Sequence, residues 1–69
     1  MRFFNKELRE KANKRVSKMD DAALAAWMDS TLMTLHASYD EYRFRNGSKE
    51  YVTEALTAVN SIWDELEQR

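Results

Sequence analysis

The 69-residue chain contains no cysteine and no proline, a single glycine (Gly47) and a single histidine (His36). Each absence narrows the possibilities. Without cysteine there is no disulfide, and one histidine with no thiol leaves no structural zinc site, so two of the usual staples of very small proteins are missing. Without proline, and with one glycine, the chain has little of the turn chemistry that β-hairpins demand, while Ala, Leu, Lys, Glu and Met are good helix formers. It contains no apolar run of about 18 residues, the minimum for a membrane-spanning helix. The opening Met1-Arg2-Phe3-Phe4-Asn5-Lys6 has no apolar signal region, so the expected location is intracellular and cytoplasmic.

A chain this short buries only about 60% of its unfolded surface. Long helices packed closely, or self-association, must supply what disulfides and metals do not. The expectation is one all-α domain of three helices, at about residues 3 to 17, 20 to 45 and 49 to 68. A long central helix forms an antiparallel hairpin with the C-terminal one, and a basic amphipathic helix precedes them.

The central stretch from Asp20 to about Arg45 would be roughly 39 Å long at 1.5 Å per residue. It carries a broad apolar stripe, Leu24, Trp27, Met28, Thr31, Leu32, Leu35, Tyr39 and Tyr42. A thinner one lies behind it: Ala22, Ala26, Met33, Ala37 and Phe44. A helix with two stripes needs two sets of partners. Its start has two readings, a capping box from Ser17 to Asp20 or a cap at Asp20 with Met19 stapled onto Leu24; a continuous first and second helix is the less favoured alternative. Its end is signalled by Asn46-Gly47, a left-handed cap. Ser48 then caps the third helix, and so short a link folds the second and third helices into a hairpin. In the third helix Val52, Ala55, Leu56, Val59, Ile62, Trp63 and Leu66 form one face, expected to meet the broad stripe. Thr53, Thr57, Asn60, Ser61, Asp64 and Glu67 form the other.

The formal net charge of -1 conceals an asymmetry. Residues 1 to 18 hold seven basic side chains against two acidic, a balance of +5; residues 19 to 69 hold four against ten, a balance of -6. A basic helix whose cations flank an apolar strip (Phe4, Leu8, Ala12, Val16, Met19) has three readings. Its charges pair internally, with Asp64, Glu65 and Glu67 meeting Lys14, Arg15 and Lys18; or Arg2, Lys6, Arg9, Lys14 and Arg15 contact nucleic acid; or it lies on a membrane surface. Internal pairing ranks first, because charge runs are usually solvated or paired faces, and membrane contact ranks last.

The thin stripe recurs at spacings of 4, 7, 4 and 7, the rhythm of a helix-pairing seam, interrupted by Asp29 and Asp40. Either the first helix covers it or it binds a second copy or another protein, with Phe44 as the anchor. Asp29, His36 and Asp40 fall within about 40° on a helical wheel at 100° per residue, but His36 and Asp40 at i,i+4 make an ordinary surface pair. No serine has a recognisable base beside it. The long second helix also fits a helix-turn-helix poorly. The expected function is therefore that of a small non-enzymatic protein-binding module, a regulatory, adaptor or inhibitor protein that self-associates, without cofactor, metal or catalytic residues. Nucleic-acid binding through the first helix is the alternative.

Overall fold

The computed structural model describes residues 6–69; Arg2, Phe3 and Phe4 lie outside the described residues. Three helices follow one another, α1 Lys6–Ser17, α2 Asp21–Arg45 and α3 Lys49–Gln68, with no strand among the described residues.

The boundaries follow from caps. Ser17 closes α1 instead of opening α2: its hydroxyl donates to the Lys14 carbonyl at 2.8 Å. The Lys18 and Met19 amides donate to the carbonyls of Arg15 and Val16, tightening the last turn. Asp20 is the N-cap of α2, extended at φ -78° and ψ 173°, with a carboxylate that accepts from the Ala23 amide at 2.8 Å. Of the two readings of this junction the cap at Asp20 holds, and Met19 packs against the cluster containing Leu24, as a hydrophobic staple does. At the other end the left-handed residue is Asn46, at φ 57°, and not Gly47. Asparagine tolerates this region better than most side chains. The glycine answers a different need, close approach, since the Gly47 amide donates to the Glu41 carbonyl at 2.8 Å. A Cβ on Gly47 would lie 2.9 Å from the Glu41 carbonyl carbon. The atoms met are the backbone and Cβ of Glu41, held in the helix with nothing soft to yield, so Gly47→Ala is expected to cost about 1–3 kcal/mol, the usual range for overpacking. A shift in the urea midpoint with unchanged slope checks this. Ser48 caps α3 as expected, its Oγ accepting from the Glu50 amide at 3.1 Å.

The link at 46–48 turns α3 back along α2, and the far ends meet again at Arg69, the C-cap of α3. Its guanidinium donates to Asp21 at 2.8 Å, to Glu65 at 3.0 Å, and to the carbonyls of Val16 at 3.2 Å and Met19 at 2.6 Å. The hydrogen bonds to Asp21 and then to Glu65 raise its pKa above the ordinary arginine value. One side chain thus joins the end of α1, the α1–α2 turn, the start of α2 and the end of α3.

The packing partner shared by the other two helices is α3: α2 packs along one side of it and α1 along another. Leu8 shares a hollow with Thr53 and Glu54, Ala12 with Thr57 and Ala58, and Val16 with Ser61 and Glu65, so α1 runs in the same direction as α3. The α3 face expected to be polar is where α1 docks, and Thr57 and Ser61 are buried there. Threonine can do this because its hydroxyl bonds its own helix: Thr57 Oγ1 donates to the Thr53 carbonyl at 2.7 Å, presenting a methyl group outward. Trp63, expected in the core, is instead 54% exposed.

Full burial occurs where three elements converge. Val16, Leu24 and Ile62, from three different helices, form the apolar centre, surrounded by Met19, Trp27, Met28 and Leu66. Farther along the α2–α3 pair Leu32, Tyr39 and Tyr42 are exposed. Two helices in contact enclose only the seam between them.

Candidate partner-binding face

α2 is the longest helix, 25 residues, with apolar groups on both sides of its axis. Its broad stripe turns toward α3. Leu24 and Thr31 are buried, Trp27, Met28 and Leu35 half-buried, and burial declines toward the α2–α3 link. Because α1 spends its apolar strip on α3, the thin stripe has no cover among the described residues. Ala22, Ala26 and Ala37 are exposed, Met33 is 75% exposed and Phe44 69%. Of the two readings of this stripe, cover by α1 is not the one the described residues adopt. The five residues expected to contact a partner therefore lie along one open helical face, flanked and interrupted by Asp29, Asp40 and the exposed His36.

At its Phe44 end the face meets a cluster of aromatic and cationic groups. Tyr39, Tyr42, Arg43, Phe44 and Asn46 line one shallow hollow. The Tyr39 and Tyr42 ring centres are 6.2 Å apart at 46°. Arg43 lies over the Phe44 ring at 5.3 Å and Lys49 over Tyr42 at 5.7 Å. Tyr51 is exposed nearby in sequence, in the first turn of α3. Helical spacing puts Tyr42 and Phe44 on different faces, and the hollow at the helix end joins them all the same. Tyr39 and Tyr42, expected as core, are the functional candidates that sequence reasoning missed.

The basic set is divided. Lys6 and Lys14 are exposed on α1. Arg9 is paired with Asp64 across the α1–α3 contact. The Arg15 guanidinium lies 4.2 Å above the Trp27 ring, which binds α1 to α2. Acidic side chains of α3 do neutralise basic ones, but through other pairs than expected: Asp64 meets Arg9, and Glu65 meets Arg69. Two of the four described cations proposed for phosphate contact are thus turned to internal work.

No group of three or more acidic, histidine or cysteine side chains among the described residues is arranged to hold a metal ion, and among those residues no helix is long and apolar enough to cross a membrane. No protein-family model matches the chain, and neither a curated protein nor a solved structure is significantly similar to it.

Proposed function

We propose that this protein is a non-enzymatic binding module, a small regulatory, adaptor or inhibitor protein of the cytoplasm, that docks another protein chain, its own copy included, on the back of α2. The observation that carries this reading is the uncovered face from Ala22 to Phe44, with Met33 and Phe44 standing out of it. Small residues let a partner helix approach closely, and the two large side chains supply anchors. Exposed apolar surface along a whole element is costly for so small a chain and marks an interaction site. The α2–α3 hairpin serves as the rigid support. A phosphate-binding role for α1 has less behind it, since Arg9 and Arg15 are engaged within the fold.

The test is capture from native host lysate with a tagged full-length chain, in nuclease-treated and untreated halves, with an untagged copy added. The expected result is a discrete protein companion, or the untagged copy, that survives both nuclease and high salt, and is lost from a Met33→Ser/Phe44→Ser double variant that stays folded. Companions that vanish on digestion, with the double variant behaving as wild type, would sink the reading and favour nucleic acid. Phosphate contacts weaken steeply with salt, whereas apolar docking does not.

A further inference from the structure

Resting on that reading, we infer that the occupant of the α2 face is a second copy of this chain, paired antiparallel about a twofold axis that passes beside Met33.

On a helical wheel the positions of α2 opposite its buried stripe are 22, 26, 29, 33, 37, 40 and 44, at intervals of 4, 3, 4, 4, 3 and 4, and all are exposed except the half-buried Asp40. The pattern reads the same from either end, with Met33 at its centre. A twofold-symmetric interface requires that a surface complement itself, residue i meeting j while j meets i. On two antiparallel copies centred on Met33, Met33 meets Met33, Phe44 meets Ala22, Asp29 meets Ala37 and Asp40 meets Ala26.

Size and charge then select the direction. The bulk of the face is lopsided, with alanines at the start and Phe44 at the end. Antiparallel pairing sets the large ring of each copy over the small residue of the other, so the two axes keep a nearly constant separation. Parallel pairing would stack Phe44 on Phe44 at one end and Ala22 on Ala22 at the other, forcing the helices apart like a wedge. It would also bring Asp29 against Asp29 and Asp40 against Asp40, two like-charge contacts at the seam, which are unfavourable. The antiparallel arrangement places every aspartate opposite an alanine, where there is room for water. His36, adjacent in sequence to Ala37, then lies diagonally across from Asp29 of the second copy. Helix macrodipoles also oppose each other favourably in this sense. The two aspartates, which look like interruptions of an apolar seam, disfavour the parallel orientation through direct Asp29–Asp29 and Asp40–Asp40 contacts, whereas the antiparallel one sets Asp29 only diagonally from Asp40 of the second copy.

Extent is sufficient. A 25-residue helix is about 37 Å long. Pairing two along their whole length removes on the order of 1,000 Å² from water, the scale at which specific interfaces begin. α1 and α3 do not obstruct it: α1 packs on α3 and reaches α2 at Trp27 on the other stripe, and Ala22, Ala26, Met33, Ala37 and Phe44 are exposed.

The experiment combines solution mass with engineered charge and single cysteines in the full chain, which has none of its own. Sedimentation equilibrium of the wild type is expected to give a dimer with a dissociation constant in the micromolar range. Ala26→Glu, which faces Asp40 of the second copy, should weaken it by about tenfold or more. Ala26→Lys should retain or tighten it, because the introduced ammonium then faces that aspartate; in a parallel dimer the two introduced lysines would face each other, and both substitutions would disrupt. Residue 26 is exposed, so both variants should keep the wild-type circular dichroism. Under mild oxidation Ala22→Cys mixed with Phe44→Cys should form the mixed disulfide many times faster than Ala22→Cys joins itself. A folded wild type that stays monomeric at millimolar concentration, a dimer broken by Ala26→Lys, or faster joining of Ala22→Cys to itself would each overturn the inference. A monomer that still captures a different protein through Met33 and Phe44 would overturn the inference alone and leave the binding-module reading standing.

Discussion

Leu24→Ala is expected to bring the protein to the edge of unfolding at 25 °C. Leu24 has no exposed surface and lies at the one place where all three helices meet, between Val16 and Ile62. Truncating a fully buried leucine removes its transfer free energy and leaves a cavity, at a cost of about 2–5 kcal/mol. At roughly 0.05–0.15 kcal/mol per residue, a chain of this length has a total stability of only about 3–10 kcal/mol. The loss is therefore a large fraction of the whole. Urea or thermal unfolding followed by circular dichroism should show a transition moved far toward native conditions, or no folded baseline at all. Leu32→Ala, on the same helix but about half exposed, supplies the contrast and should cost less than about 1 kcal/mol. Equal losses at the two sites would mean that stability is spread evenly along α2 and that the three-helix junction has no special weight.

The sequence made the helices legible because their limits are written in local chemistry. Asp20 and Ser48 are N-caps whose side chains accept first-turn amides, and Asn46-Gly47 is a strong helix-ending signal. Such signals depend on a few neighbouring residues, so no tertiary information is needed. Even here one detail escaped, since the left-handed residue is Asn46 and the glycine is required for its missing Cβ. The placement of α1 was not legible, for a physical reason. A helical wheel scores Thr57 and Ser61 as polar, yet Thr57 satisfies its hydroxyl on its own helix and can line a close helix contact. The face of α3 opposite its apolar one is therefore a docking site, and α1 takes it in preference to the back of α2. Arg9 follows α1 to Asp64, a pairing invisible until the direction of α1 along α3 is known. The candidate site was legible as five residues, Ala22, Ala26, Met33, Ala37 and Phe44. Whether they are open or covered was not, because that depends on where α1 goes.

The attachment of α1 leads to the second large effect. Val16→Asp is expected to detach α1 and, with it, most of the cooperative stability of the fold. Val16 is the one described residue of α1 that is fully enclosed, while Leu8 and Ala12 are only half-buried. Other attachments among the described residues include a partly exposed Arg9–Asp64 pair, the Arg15–Trp27 contact and the hydrogen bond from Arg69 to the Val16 carbonyl. Exposed ion pairs contribute at most about 1 kcal/mol each. They cannot offset an unpaired carboxylate forced into an apolar centre, which costs several kcal/mol unless the group leaves it for water. Leaving means undocking α1, which uncovers Thr57 and Ser61 and removes one wall from Leu24 and Ile62. Lost amide hydrogen-exchange protection over residues 6–17, with a lowered and broadened thermal transition, is the expected outcome. Lys14→Asp, a charge change on the exposed side of the same helix, should leave protection in place. If Val16→Asp kept wild-type protection in α1, the helix would be held by its charges, and its apolar strip would not be the reason it docks on α3.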